Sequence, residues 1–310
     1  MENKVLGLHH ITAIASDAQK NLDFYTKVLG LRLVKKTVNF DDPGTYHFYF
    51  GNESGEAGTI LTFFPWQGMG RGRVGRGMAT HITYSIPQGA LDFWKSRLAA
   101  HEIPYTENVI FGENYIAFQD PDGLELQFVE SMDADPRRAW FTDEVDETVA
   151  LRGFYATTLT LQNKEATEKV LTDILGYTLL KQEGNRYRYA TNTVETARYL
   201  DIIENPKATR GNNAAGTNHH IAFRVKNEED LMEMRKKVLS SGLNITPKID
   251  RDYFYSLYFR EPGGVLFEIA TDNPGFTIDE PLADLGQSLK LPKQFEGART
   301  EIEAVLPKLG

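Results

Sequence analysis

The chain has 310 residues, 41% of them hydrophobic and 25% charged, with a formal net charge of −9 and no cysteine. Without cysteine there are no disulfides, thiolate metal sites or cysteine nucleophiles, so any metal must be held by His, Asp or Glu. The acidic balance argues against a nucleic-acid partner, no apolar run reaches the ~20 residues of a membrane span, and the N-terminus has no secretory apolar segment, so a cytoplasmic protein without membrane contact is expected.

Taken in order, the segment from His10, "HITAIASDAQKNLDFYTKVLGLRLV", predicts strand, helix and strand. Asp17 is placed to cap the helix, Leu22, Tyr25 and Leu29 mark its apolar face, and Gly30 suits the left-handed position after its end. "YHFYFG" and "GTILTFFP" predict two further strands around the turn "NESGEAG". The following "GRGRVGRG" (70–77) lacks the strand–helix context and the Lys-Ser/Thr pair of a phosphate loop, and reads as a flexible connection.

The same order then recurs three times. "THITYSIPQGALDFWKSRLAAHEIPY" precedes "ENYIAFQDPDGLELQFVE"; "GFYATTLTLQNKEATEKVLTDILGYTLL" precedes "RYRYAT" and "TARYLDIIE"; "HHIAFRVKNEEDLMEMRKKVLSSGLNITP" precedes "YSLYFREPGGVLFEIAT". The expected fold is therefore α+β, with four βαβββ units paired into two modules, because one unit cannot bury both faces of its sheet. Residues 5–132 form a first half (units 1 and 2) and 148–272 a second (units 3 and 4), with a polar linker near 133–147. Residues 273–310 form an extension with helical spacing over about 295–309, expected to clasp the body or cover a cavity.

Two histidine pairs stand at the starts of units 1 and 4, in "LHHIT" and "NHHIA". Strand side chains alternate faces, so the two members of a pair are expected to point opposite ways. Unit 2 has a single histidine, His81, in "THIT", which aligns with the second member of each pair. That makes His10, His81, Ala156 and His220 equivalent inward positions. Unit 4 also offers an acid, Glu268, at the position where unit 2 has Gln127. A site of two imidazoles and one carboxylate is then complete only as His10, His220 and Glu268. It requires the first and last units to pair around one metal. His81 reads as an ordinary buried histidine.

These residues and this repeat resemble the vicinal oxygen chelate superfamily of glyoxalase I, fosfomycin-resistance proteins and extradiol dioxygenases. Over essentially the whole chain, "GLHHITAIASDAQKNLDFYTKVLGLRLVKKTVNFDDPGTYHFYFG", "GTNHHIAFRV", "RDYFYSLYFREPGGVLFEIATDNPGF" and the tail ending "LPKL" resemble hydroquinone-type ring-cleaving dioxygenases of the bacterial methylhydroquinone-resistance group. The resemblance implies iron(II), with manganese(II) as the alternative, on His10, His220 and Glu268. It implies a small aromatic diol and O2 as partners; a homo-oligomer is one assembly open to the chain, whose sequence does not fix its oligomeric state. It also implies pocket positions for Thr12, Arg251 and Tyr258, and flanking positions for His9 and His219, which are expected to face away from the ligands and act indirectly. Arg251 suits stabilisation of developing negative charge and Tyr258 suits proton transfer or a hydrogen bond to a phenolate. Ala156 breaks the ordinary catechol-dioxygenase arrangement, in which the second half supplies all three ligands. Competing readings are a catechol extradiol dioxygenase, a glyoxalase-type isomerase or thiol transferase, and a non-catalytic binder of small aromatics.

Overall fold

A computed structural model describes residues 4–131 and 135–310. Residues 132–134, where the first predicted half ends and the predicted linker begins, lie outside the described residues. Unit 1 runs β1 (Leu8–Ala15), α1 (Ala18–Asp23, continued in π-type turns over Phe24–Val28), β2 (Arg32–Val38), β3 (Tyr46–Gly51) and β4 (Ile60–Pro65). Unit 2 runs β5 (Met78–Ile86), α2 (Leu91–Ala100), β6 (Tyr105–Ile110), β7 (Glu113–Gln119) and β8 (Glu125–Glu130). Unit 3 runs β9 (Gly153–Leu161), α3 (Glu165–Lys169, continued over Val170–Ile174), β10 (Thr178–Glu183), β11 (Arg186–Ala190) and β12 (Tyr199–Glu204). Unit 4 runs β13 (Thr217–Val225), α4 (Glu228–Ser240), β14 (Ile249–Asp250), β15 (Phe254–Arg260) and β16 (Leu266–Pro274).

The local signals act as their chemistry requires. Asp17 accepts the Lys20 amide at 2.8 Å and starts α1. Gly30 follows the helix at φ +67°, and a Cβ there would press on Val145 at 3.0 Å. Tyr25 and Leu29 are fully buried, in one apolar cluster that also takes in Trp94, Phe128, Leu171 and Phe223.

The units pair across the sequence halves. One curled eight-stranded sheet has the order β14-β15-β16-β13-β1-β4-β3-β2, joining units 4 and 1; the other has β10-β11-β12-β9-β5-β8-β7-β6, joining units 3 and 2. In each, the first strands of two units meet antiparallel at the centre: Ile11 opposite Ile221, and Ile82 opposite Thr157. Each first strand is flanked by the last strand of its own unit, running parallel. Three neighbouring strands, β16, β13 and β1, can therefore present Glu268, His220 and His10 together.

The segment expected to be a flexible connection is instead pinned. Arg71, Arg73 and Arg76 form backbone bridges to Ala215, Asn212 and Arg210. The glycines allow the approach, since a Cβ at Gly75 would meet the Thr209 carbonyl oxygen at 2.2 Å. The two crossovers between the sheets thus lie against each other. The predicted linker is tied as well: Arg137 is buried, pairs with Asp135 at 2.6 Å, and donates to the carbonyls of Gly58 and Phe154.

The extension clasps unit 1. Fully buried Lys35 pairs with Asp279 at 2.6 Å and with Glu280. Arg32 donates to the Leu282 and Ala283 carbonyls, and Tyr46 to that of Pro307. Its helix α5 covers Arg299–Val305. No residue of the extension lines the cavity described below. Among the described residues no helix is long and apolar enough to cross a membrane.

Candidate metal centre

His10, His220 and Glu268 come together as the repeat requires. All three are buried, and one ligand atom from each lies within 4.8 Å of the others. His10 Nε2 and His220 Nε2 stand 3.0 and 2.8 Å from Glu268 Oε2. Oε2 is nonetheless buried with no hydrogen-bond partner among the described residues. The other carboxylate oxygen accepts the Ser256 hydroxyl. Two lone-pair nitrogens and an orphaned carboxylate oxygen converging on one point fit a divalent metal.

The flanking histidines do not face away as strand alternation predicts. Leu8 pairs with Phe223 and His10 with Ala222, so His9 is an extra residue in β1; Thr12 pairs with His220 and Ala13 with Asn218, so His219 is an extra residue in β13. Each ligand pair thus sits on a β-bulge, which breaks the period of two. His9 Nδ1 lies 2.9 Å from His10 Nδ1, and His219 Nδ1 lies 2.7 Å from His220 Nδ1. His219 shares the wall of the cavity with His220.

This contact fixes a tautomer. His9 Nε2 lies 3.0 Å from the Thr271 carbonyl oxygen, which can only accept, so Nε2 carries a proton. Burial, reinforced by the neighbouring His10, lowers the His9 pKa to about 3, so the ring is neutral and its Nδ1 is bare. His10 Nδ1–H must then donate to it, which in the neutral ring leaves Nε2 with its lone pair toward Glu268. His219 is likewise lowered to about 3, first by burial and then by His220.

His10 and His220 open onto a cavity of about 350 Å³. Thr12, Arg251 and Tyr258 line it, as expected. Arg251 Nε donates to the Tyr258 hydroxyl at 3.3 Å, and the Tyr258 ring stands edge-on to His220 at 5.6 Å. Burial pushes the Tyr258 phenol up, so it keeps its proton. Burial disfavours the Arg251 charge, but Tyr258 and Glu268 more than restore it. Sequence reasoning missed His47, Tyr49, Phe64, Trp66, Phe254, Leu266 and the 39–41 loop, which complete the walls. The one available signal was period two in "YHFYFG", which puts His47 and Tyr49 on one face.

Register identifies the four equivalent last-strand positions. Each residue two beyond the inward first-strand position pairs with one: Thr12 with Thr62, Thr83 with Gln127, Thr158 with Asp201, Ala222 with Glu268. The first sheet therefore offers His10, Thr62, His220 and Glu268, and the second His81, Gln127, Ala156 and Asp201. In the second, Asp201 is taken by Arg186 at 2.9 Å and Arg188 at 2.8 Å, and the Gln127 carbonyl accepts from Thr83. His81 meets Thr80 at 3.0 Å and joins no metal-competent group among the described residues.

His81 gives a pH prediction. Burial, then Arg186, lowers its pKa to about 4 against the opposing pull of Asp201. The folded value lies below the unfolded one, so above pH ~6.5 both states are neutral, and as pH falls from ~6.5 to ~4 the unfolded state gains the proton first. Stability should drop across that window by up to about 3 kcal/mol from this group. Urea midpoints at pH 7.5 and 4.5 should show a smaller acid loss in His81→Gln than in the wild type. Parallel losses would show that burying this imidazole has no such effect.

Residues 7–128 and 154–269 match the Glyoxalase/Bleomycin resistance protein/Dioxygenase superfamily. The chain is 46% identical to MhqO of Bacillus subtilis, provisionally named a ring-cleaving dioxygenase, over 98% of this chain and 96% of that one. It is 36% identical to the chlorohydroquinone/hydroquinone 1,2-dioxygenase of Sphingobium indicum, over 97% and 96%. A crystal structure of a Bacillus subtilis protein provisionally named a dioxygenase superposes with a TM-score of 0.96 at 45% identity, covering 100% of this chain and 99% of that one.

Proposed function

The chain belongs to the Glyoxalase/Bleomycin resistance protein/Dioxygenase superfamily, and from that membership and the geometry of its site we propose that it is a metal-dependent ring-cleaving dioxygenase acting on a hydroquinone-type aromatic. One observation carries the reading: two buried imidazole nitrogens and one carboxylate oxygen without a hydrogen donor among the described residues meet beside a cavity walled by aromatic rings. This donor set suits iron(II), with manganese(II) as the alternative. When bound, the metal supplies Lewis acidity toward a phenolic oxygen and one-electron chemistry toward dioxygen.

The chain's own side chains do the rest. His9 sets the His10 tautomer, and His219 stands in the matching place beside His220. Arg251 holds a positive charge at the wall, where it stabilises negative charge developing on reacting oxygens. Because Arg251 donates to the Tyr258 oxygen, the Tyr258 hydrogen is left for the ligand or for proton transfer. Cleavage of the ring bond beside one hydroxyl places both atoms of dioxygen in an acyclic product. A glyoxalase-type isomerase is less well supported, since the fourth register position is Thr62 and not an acid. The two matched segments support reading 5–132 and 148–272 as glyoxalase-like halves with 273–310 as an extension, and the acidic, cysteine-free composition suits the cytoplasm.

Anaerobically purified, iron(II)-loaded protein should consume one dioxygen per methylhydroquinone and yield a ring-opened product carrying both oxygen-18 atoms from labelled gas. Turnover of methylhydroquinone without dioxygen, or no uptake with any diol, would refute the reading.

A further inference from the structure

The position that would bear a fourth metal ligand in unit 1 is occupied by Thr62, and its hydroxyl is the middle of a chain. Thr12 Oγ1 lies 2.9 Å from Thr62 Oγ1, Thr62 Oγ1 lies 3.0 Å from His47 Nε2, and His47 Nδ1 lies 3.0 Å from the Tyr49 hydroxyl. All four residues are more than nine-tenths buried, and Thr12, His47 and Tyr49 line the cavity. We infer that Tyr49, His47 and Thr62 form a directional hydrogen-bond chain that presents the Thr12 hydroxyl to the substrate as a donor to a phenolic oxygen. The inference rests on the hydroquinone reading above and adds three positioning residues to it.

Counting hydrogens sets the direction. If Thr12 donated to Thr62, Thr62 would donate to His47 Nε2 and His47 Nδ1–H to Tyr49. The spare hydrogen would then be on Tyr49, whose hydroxyl has no protein acceptor among the described residues and whose ring is flanked by those of Tyr253, Phe254 and Phe276. A buried donor without a partner is disfavoured. In the opposite direction the spare hydrogen is on Thr12, two residues from His10 and paired in register with His220, where a phenolic oxygen at the centre would accept it. Tyr49 donates to His47 Nδ1, His47 Nε2–H donates to Thr62, and Thr62 donates to Thr12, whose own hydrogen is left for the cavity. Burial agrees with this order: it pushes the Tyr49 phenol up, so its proton stays, and pushes the His47 pKa down, so the ring is neutral with one donor and one acceptor. Hydrogen bonds aligned head to tail also polarise one another, which strengthens the terminal donor.

The test is an anaerobic titration with methylhydroquinone, followed by quenching of Trp66, which lines the cavity. Thr62→Val removes the link and strands His47 Nε2–H; the dissociation constant should rise roughly tenfold with metal content unchanged. Thr62→Ser restores the hydroxyl and should bind within about threefold of the wild type, a rescue that loss of packing would not give. Tyr49→Phe removes the anchor that sets the direction and should weaken binding severalfold, which keeps the test decisive if Thr62→Val fails to fold. Wild-type affinity in both Thr62→Val and Tyr49→Phe, or a Thr62→Ser variant no better than Thr62→Val, would overturn the chain alone. A wild type that binds no methylhydroquinone would overturn the chain together with the functional reading.

Discussion

His220→Ala is expected to abolish stoichiometric metal binding and to lower ring cleavage on the order of 10³-fold or more, because it removes one of the three proposed ligands. Glu268→Gln should do the same while keeping nearly the same volume. His81→Gln, the repeat equivalent in the other sheet, should keep both metal and activity. The contrast follows from the surroundings and not from the residue type. His220 faces a carboxylate oxygen with no hydrogen donor among the described residues, whereas the acid at the equivalent place near His81 is consumed by two arginines. Metal analysis after anaerobic loading with iron(II) reads the first effect directly. Thermal melts read it independently, since a metal that binds only the folded state raises the melting temperature. Full metal content in both His220→Ala and Glu268→Gln would refute the assignment of the centre.

That the first and last units share one site was legible in the sequence because the inward register repeats. His10, His81 and His220 occupy one place in three units, and Glu268 aligns with Gln127. The behaviour of the outer histidines was not legible. Alternation assumes a regular strand, and His9 and His219 are each the extra residue of a bulge. Two adjacent histidines at the start of such a strand can sit side by side, and the second then receives its tautomer from the first. Nothing in the composition of "LHHIT" announces the bulge, because it is a property of the pairing between β1 and β13. The cavity walls were illegible for a related reason. His47, Trp66 and the 39–41 loop meet the triad only through the curl of the sheet. Thr62 could not be recognised as a ligand position until strand register placed it opposite Thr12.

The second sheet shows what became of the other copy of the site, and it carries the other large prediction. Asp201→Ala is expected to destabilise the protein by about 3–5 kcal/mol, because it takes the buried acid from both Arg186 and Arg188 and leaves Arg188 with Glu113 alone. Asp201 has no exposed surface and Arg188 about 1%. Arg188 gives Asp201 hydrogen bonds of 2.8 and 3.1 Å, and Arg186 gives it one of 2.9 Å. Arg188 also reaches Glu113 at 2.6 Å and the Tyr115 hydroxyl at 2.9 Å, so the network joins three strands, β7, β11 and β12. Removing the acid turns two neighbouring cations from a shared pair into a repulsive one. The double change Asp201→Leu with Arg188→Met should recover much of the loss, since a buried ion pair is only weakly favourable against an apolar pair of similar size. Urea midpoints at neutral pH measure both. The single variant should retain its metal, because His10, His220 and Glu268 belong to the other sheet. If Asp201→Ala loses less than about 1 kcal/mol, the level of an exposed ion pair, the network does not hold the second sheet together. If it empties the metal centre as well, the two sheets are not energetically separate. Retained metal with a large loss of stability would show that one copy of the repeated cup binds a metal and the other uses the same strand positions to hold the fold.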